Sequence, residues 1–135
     1  MNIKIHHIGY AVKDINEAIH RFKLMNYIVI GECIRDNERG ICVQFVKNGD
    51  YLIELVMPAR TNSPVDSYIL NYKYTPYHIC YEVDDIRAVI DKLKEEGYKL
   101  ICCPKPAPAI NNRKVAFLYS KGIGLIEIID GGSME

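Results

Sequence analysis

Hydrophobic and polar residues alternate along residues 4–12, a pattern that indicates a half-buried β-strand. The spacing of apolar residues then changes to three and four, which predicts a helix with one apolar face. The residues of this face are Ile15, Ala18, Ile19 and Phe22. Asp14 precedes them as an N-cap, and Glu17 follows three residues later as the second member of a capping box. Three alternating segments come next, at about 28–35, 41–47 and 51–57.

The second half of the chain repeats the first. The segment His7–Ile15 matches His78–Ile86 at an offset of 71 residues (78 − 7 = 71). Two later matches follow in the same order, at offsets of 72 (115 − 43) and 73 (125 − 52). They pair Val43-Gln44-Phe45-Val46 with Val115-Ala116-Phe117-Leu118, and Leu52-Ile53-Glu54 with Leu125-Ile126-Glu127. We therefore expect each half to fold as strand, helix and three strands.

The second half carries its own start and stop signals. Asp85 caps a helix that ends at Gly97. The apolar face of this helix consists of Ile86, Val89, Ile90 and Leu93. Strands are expected at about 98–103, 114–120 and 123–129. Ser63 and Pro64 begin a linking helix, with the serine as its cap. We expect one domain over residues 1–135, with module one at about 3–60, a linker helix at about 63–72 and module two at about 75–130.

Composition and charge narrow the range of partners. In 135 residues, 17 Lys and Arg balance 17 Asp and Glu, so the chain lacks the concentrated positive charge that binds nucleic acid or anionic membranes. No apolar run approaches the ~20 residues that cross a bilayer, and the first strand lacks a signal-peptide core. Five cysteines without a C-x-x-C pair disfavour disulfides and a cysteine zinc site. We expect a cytoplasmic protein with no nucleic-acid and no membrane partner.

Four polar residues interrupt the apolar strands at equivalent places in the two halves: His7, Glu54, His78 and Glu127. The histidine-to-glutamate spacing is similar, 54 − 7 = 47 and 127 − 78 = 49. A single histidine on a strand is usually structural, and a single glutamate on a strand usually faces solvent. Here both explanations would have to hold in each half of the chain. Two imidazoles and two carboxylates suit zinc, nickel, cobalt, manganese or ferrous iron. The four residues therefore predict a metal site.

Alternation along the first strand predicts which face carries this site. His7 shares its face with Gly9 and Ala11, while the bulkier residues between them face the other way. The bulky face suits packing under the helix, and the small residues leave room for a ligand.

These motifs resemble the vicinal oxygen chelate superfamily, which is built from paired βαβββ modules around a metal. The likeness covers about residues 3–129, and its motifs are His7–Asp14, Tyr77–Asp85 and Gly124–Glu127. It implies an α+β fold in which two βαβββ modules in tandem form an open, U-shaped mixed sheet with helices on the outer face. It also implies a homodimer and one divalent ion per site (nickel, zinc or cobalt). The implied ligands of that ion are His7, Glu54, His78 and Glu127.

Within the superfamily the chain is most similar to single-domain bacterial glyoxalase I of the clostridial type, through the stretch from Ala107 to Leu118. This resemblance implies a metal-dependent lyase or isomerase of the lactoylglutathione lyase type, with a small-molecule thiol adduct as substrate. Such an enzyme moves a proton next to a carbonyl through an enediolate, with a divalent ion as Lewis acid. Glu127 is our first choice for the base that moves the proton, and Glu54 is the second.

Methylmalonyl-CoA epimerase is the next resemblance, and its substrate would be an acyl-CoA. An epimerase needs bases on both sides of a planar intermediate, and some epimerases place a further acid on the third strand, where this chain has Gln44. An amide can hydrogen-bond an intermediate but cannot act as a base, so we rank glyoxalase I first. Two other functions of the fold stay open, namely an antibiotic-binding protein without catalysis and a ferrous-iron ring-opening oxygenase.

The remaining candidates are substrate-binding residues. The resemblance places Arg113 and Lys114 near the carboxylate or phosphate end of a thiol cofactor, although a solvated loop explains them equally well. Gln44 would contact the intermediate, and Cys80, beside His78, would pack against substrate or fill the core. The thiol carrier, the activating metal and the pairing of modules within a chain or across a dimer stay open.

Overall fold

Residues 2–131 are described by a computed structural model of the chain. Eight strands and three α-helices follow one another within this range: β1 Ile3–Ala11, α1 Ile15–Leu24, β2 Ile28–Asp36, β3 Ile41–Asn48, β4 Tyr51–Pro58, α2 Asp66–Tyr72, β5 Thr75–Val83, α3 Ile86–Glu95, β6 Lys99–Ala107, β7 Arg113–Ser120 and β8 Gly124–Asp130. A 3₁₀ turn at Pro108–Ile110 separates β6 from β7. None of the helices described here combines the length and the apolar character that a membrane crossing requires.

The chain divides into two compact units, of which the first is His7–Tyr77. Its strands are hydrogen-bonded in the order β2-β3-β4-β1, with β1 parallel to β4 and the other pairs antiparallel. The helix α1 covers one face of these strands. The buried core between them consists of Val12, Ile15, Ala18, Val46, Ile53 and Leu55. The apolar stripe predicted for α1 is thus the face that it buries.

The second unit comprises the described residues up to His6 and from His78 onward. Its strands adjoin in the order β5-β8-β7-β6, with β5 parallel to β8 and the other pairs antiparallel. The core under α3 consists of Val83, Ile86, Val89, Ile90, Ala116, Leu118, Ile126 and Ile128. The α+β class, the mixed sheet and the βαβββ order of each half are confirmed.

Both long helices begin at the predicted caps. The Asp14 side chain accepts hydrogen bonds from two backbone N–H groups in the first turn of α1, at 3.0 and 3.1 Å. The Asp85 side chain accepts one from the Ala88 N–H, at 3.1 Å. The capping box of α1 is only half formed, because the Glu17 carboxylate accepts a hydrogen bond from Arg21 Nε at 2.8 Å.

The strand β6 is longer than the sequence predicts, since it continues through Pro104 and Pro106 to Ala107. Proline has no N–H to donate to a strand ladder and is therefore confined to edge strands and bulges. β6 is the last strand in the order, and its pairing with β7 shifts register between Leu100 and Lys105. The prolines thus lie where a strand tolerates them.

The helix between the two halves begins later than predicted. α2 starts at Asp66, whose carboxylate accepts a hydrogen bond from the backbone N–H of Ser63 at 2.9 Å. The structure describes this whole segment, and no side chain there caps the first turn of α2. The prediction that Ser63 is the cap was wrong, because Ser63 contributes its backbone rather than its hydroxyl.

Candidate metal centre

The strands β1 and β4 bring one histidine and one glutamate together in the first unit. The strands are parallel and Gly9 lies opposite Glu54, so His7 projects from the same face two residues earlier. His7 Nε2 is 3.4 Å from Glu54 Oε1, and the two side chains are 0% and 9% exposed. This pair is therefore held out of bulk solvent.

The strands β5 and β8 repeat this arrangement in the second unit. Cys80 lies opposite Glu127, and His78 again projects from the same face two residues earlier. His78 Nε2 is 2.9 Å from Glu127 Oε1, and the two side chains are 1% and 6% exposed. The structure thus places each predicted histidine beside the glutamate of its own half.

The first pair, His7 and Glu54, lies on the face of β1 that the alternation of its residues predicts. Ile8 and Tyr10 pack against the core under α1. Gly9 and Ala11 lie on the opposite face of β1, next to Glu54 and Val56 of β4. The imidazole and the carboxylate therefore share the side of the strands that the helix leaves uncovered.

The chemistry and spacing of each pair fit two ligands of one divalent ion. An ion such as zinc binds imidazole nitrogen and carboxylate oxygen at about 2.0–2.2 Å, so two adjacent ligands of one ion lie about 2.8–3.5 Å apart. The nitrogen–oxygen distances of 3.4 and 2.9 Å fall in this range. Imidazole with carboxylate is also a donor set that divalent transition metals accept.

Two phenylalanines at this face are residues that the sequence analysis missed. Phe45 on β3 lies opposite Glu54 and meets the His7 imidazole edge-on, with ring centroids 5.5 Å apart and planes at 80°. Phe117 on β7 lies opposite Glu127 and meets His78 in the same way, at 5.3 Å and 89°. The repeat match at offset 72 (117 − 45) already aligned the two phenylalanines, which is the signal that could have found them.

Gln44 does not lie with Glu54, contrary to its predicted place near the substrate. Gln44 is opposite Leu55 on β4, so its side chain is on the helix-covered face of β3. Its Nε2 donates to the backbone carbonyls of Ile30 at 3.0 Å and Gly31 at 3.2 Å, where the pairing of β2 is irregular. The predicted register was therefore wrong by one residue, because Phe45 takes the position expected for Gln44.

Of the other expected binding residues, only Cys80 lies beside a glutamate of a pair, and it is fully buried there. Arg113 binds elsewhere: its Nη2 donates to Glu82 Oε2 at 2.5 Å, and its Nε donates to the Asp130 carbonyl at 3.0 Å. Lys114 is exposed and lines an open cleft of about 550 Å³ at the start of α3. Alternation along β7 places Lys114 on the face of the α3 core, away from Glu127.

The Arg113–Glu82 pair makes stability depend on pH. The hydrogen bond from Arg113 lowers the pKa of Glu82, burial opposes this shift, and the charges of Arg113, His6 and Lys4 add to it. The pair therefore stabilises the fold above the unfolded pKa of about 4.3, and this contribution is lost as pH falls through the lower folded value. We expect Glu82→Gln to cost about 1 kcal/mol at neutral pH. Urea unfolding across the acid range should also show a shallower loss of stability in the variant.

Glu95→Gln is the matched control, because Glu95 is exposed on α3. It should leave the pH dependence of the unfolding free energy as in the wild type. If Glu82→Gln gave the wild-type curve as well, the pair would contribute nothing to stability.

Paired βαβββ units, each with a buried imidazole and carboxylate, are the architecture of the vicinal oxygen chelate proteins. A profile described as the Glyoxalase/Bleomycin resistance protein/Dioxygenase superfamily matches residues 6–117 of the chain. The chain belongs to this superfamily, as its sequence motifs predict. Enzymes of the superfamily typically use a divalent metal.

Three individual proteins of this superfamily fold are similar to the chain. The ethylmalonyl-CoA/methylmalonyl-CoA epimerase of Cereibacter sphaeroides is 29% identical over 119 residues, which are 87% of this chain and 89% of that protein. The structure of a hypothetical protein from Bacillus halodurans C-125 matches with a TM-score of 0.86 at 26% identity, covering 100% of this chain and 99% of that one. Methylmalonyl-CoA epimerase from Mycobacterium tuberculosis shares the fold, with a TM-score of 0.82 at 21% identity and coverage of 93% and 86%.

These comparisons favour epimerase, the alternative, over glyoxalase I, which the sequence analysis ranked first. That ranking depended on the resemblance of the stretch from Ala107 to Leu118 and on Gln44 as the residue of the third strand that faces the intermediate. The structure places the Gln44 side chain on the helix-covered face instead. The amide of Gln44 is therefore no argument against an epimerase.

Proposed function

We propose that the protein is a metal-dependent epimerase that acts on methylmalonyl-CoA or a close homologue such as ethylmalonyl-CoA. The observation that carries the proposal is the buried glutamate beside a buried histidine in each half. An epimerase needs two acid–base groups, because it removes a proton from one side of a carbon and returns one to the other side. The similarity to the Cereibacter sphaeroides epimerase over 87% of the chain supports the same substrate class.

In this proposal His7, Glu54, His78 and Glu127 together hold one divalent ion such as nickel, zinc or cobalt. Two carboxylates balance the charge of the ion, and two neutral imidazoles complete a nitrogen–oxygen donor set. When bound, the ion supplies a Lewis acid that stabilises negative charge on a carbonyl oxygen. Side chains of the protein carry out the proton transfer itself.

The two glutamates move the proton at C2, the carbon between the thioester and the carboxylate of the substrate. Glu127 accepts the C2 proton as the C–H bond breaks, and the electron pair moves toward the thioester oxygen. Glu54, which takes up a proton from solvent before this step, donates it to the opposite side of C2, where a new C–H bond forms and the configuration is inverted. Glu127 then releases its proton to solvent. For the other epimer the two glutamates exchange roles.

The two residues of the third strand beside the first pair offer no further acid for this chemistry. On β3, Phe45 lies opposite Glu54 and Val43 lies opposite Val56, so both share the face of the first pair. Both side chains are apolar and cannot exchange protons. In this proposal the two glutamates therefore serve as both bases.

Glyoxalase I is the second candidate function, and the apolar side chains of Val43 and Phe45 beside Glu54 are the observation that favours it. A glyoxalase moves one proton between adjacent carbons of a hemithioacetal, which requires no acid beyond the two glutamates. The substrate would then be a thiol adduct instead of an acyl-CoA.

The test offers both substrates to the same metal-reconstituted protein. With methylmalonyl-CoA in deuterated water, we expect NMR to detect exchange of the C2 proton together with interconversion of the epimers. Turnover of methylglyoxal with glutathione or another low-molecular-weight thiol, without exchange in methylmalonyl-CoA, would replace the proposal by glyoxalase I. Turnover of neither, with tight binding of an antibiotic in the absence of metal, would favour a binding protein.

A further inference from the structure

The contacts of Phe45 and Phe117 are the same in both halves. In each half the ring lies directly across from the glutamate and packs perpendicular to the histidine. In each half the histidine atom beside the glutamate oxygen is Nε2. The phenylalanine, the glutamate and the histidine therefore form a unit of three side chains that occurs twice.

We propose that Phe45 and Phe117 are positioning residues that fix the planes of the ligand imidazoles. Through those planes they set the affinity and geometry of the divalent ion. The inference rests on the proposed function, because it assigns the two rings a role toward the metal of that site.

A ligand imidazole needs such a constraint. The torsion between Cβ and the imidazole ring is broad and roughly two-fold, so it does not select one orientation by itself. A half turn puts Cε1 in the place of Nε2 and Cδ2 in the place of Nδ1, so only one orientation presents Nε2 beside the glutamate oxygen. A perpendicular aromatic neighbour is a favourable arrangement for ring centroids about 5 Å apart. It also occupies the space that a turning imidazole would cross.

This role is distinct from filling the core. Val46 and Leu118, which follow the two phenylalanines in sequence, are 0% exposed and belong to the cores under α1 and α3. Phe45 and Phe117 lie on the other face of their strands and are only half-buried. A leucine at either position would restore most of the apolar volume but not the flat ring.

Leucine replacements remove the aromatic ring but keep most of its apolar volume, whereas tyrosine replacements keep the ring. Comparing the two therefore tests the role of the ring apart from its volume. In Phe45→Leu and Phe117→Leu we expect about 10-fold weaker binding of Co²⁺, the size of effect typical for residues that orient metal ligands. The visible absorption of bound Co²⁺ should also change, because it reports ligand geometry. Phe45→Tyr and Phe117→Tyr keep the ring and should retain wild-type affinity and spectrum. In metal-free protein, NMR relaxation should show a more mobile imidazole only in the half that carries the leucine.

Val46→Ala and Leu118→Ala are the matched controls. They remove apolar volume from the neighbouring positions and should lower the free energy of unfolding while leaving the Co²⁺ affinity and spectrum unchanged. Leucine variants with wild-type Co²⁺ affinity and spectrum would overturn the inference and leave the proposed function standing. Failure of the wild-type protein to bind Co²⁺ would overturn the proposed function and, with it, the role assigned to the two rings.

Discussion

Replacing Glu127 by glutamine is expected to slow the interconversion of the methylmalonyl-CoA epimers by about 10²–10⁴-fold, the range typical for loss of an acid–base group. The amide cannot accept the C2 proton, yet its oxygen remains available as a ligand. The free energy of unfolding should therefore stay close to its wild-type value, and the rates are compared at equal metal content. Epimer composition measured over time, together with metal analysis of the same sample, gives both quantities.

Glu95→Gln makes the same change of charge at an exposed position on α3 and should leave the rate unchanged. A Glu127→Gln variant with full metal content and a rate near that of the wild type would remove Glu127 as the base. A variant that loses its metal would instead make Glu127 chiefly a ligand.

Glu54→Gln should separate proton exchange from inversion. For the epimer whose proton Glu127 removes, Glu127 can return deuterium to the same side, so exchange continues while inversion falls by about 10²–10⁴-fold. For the opposite epimer both exchange and inversion should be lost. NMR of each pure epimer in deuterated water measures exchange, and a stereospecific assay of the same samples measures inversion.

Glu32→Gln, at an exposed position on β2, is the control for Glu54→Gln. It should support exchange and inversion of both epimers at wild-type rates. Inversion at the wild-type rate in Glu54→Gln would show that Glu54 is not the second base. Proton transfer between adjacent carbons, as in glyoxalase I, would then be the better description.

The helices, the strand order within each half and the two histidine–glutamate pairs could be predicted because their signals are local or repeated. Asp14 and Asp85 cap the helices with their own side chains, so a few residues of sequence determine where each helix begins. Each histidine and its glutamate are separated by nearly 50 residues (54 − 7 = 47 and 127 − 78 = 49). Their association could be predicted only because it occurs twice at matching spacing.

The register of β3 could not be predicted, because it depends on pairing with another strand. In Val43-Gln44-Phe45-Val46, Gln44 interrupts an apolar run, so alternation alone does not say which residue faces the glutamate. The pairing of β3 with β4 sets Phe45 opposite Glu54 and directs Gln44 to the carbonyls at the irregular part of β2. The start of α2 is a similar case, since it depends on the bond between Asp66 and the Ser63 backbone.

The number of divalent ions bound per chain tests most directly whether the two histidine–glutamate pairs hold one ion jointly. The measurement is metal analysis of the wild type, His7→Ala and His78→Ala after equilibrium dialysis against the same Ni²⁺ or Co²⁺ solution. We predict one ion per chain in the wild type and almost none in either variant, because each removes a ligand of the same ion. Two ions per chain in the wild type, or one ion retained in either variant, would contradict a shared metal centre.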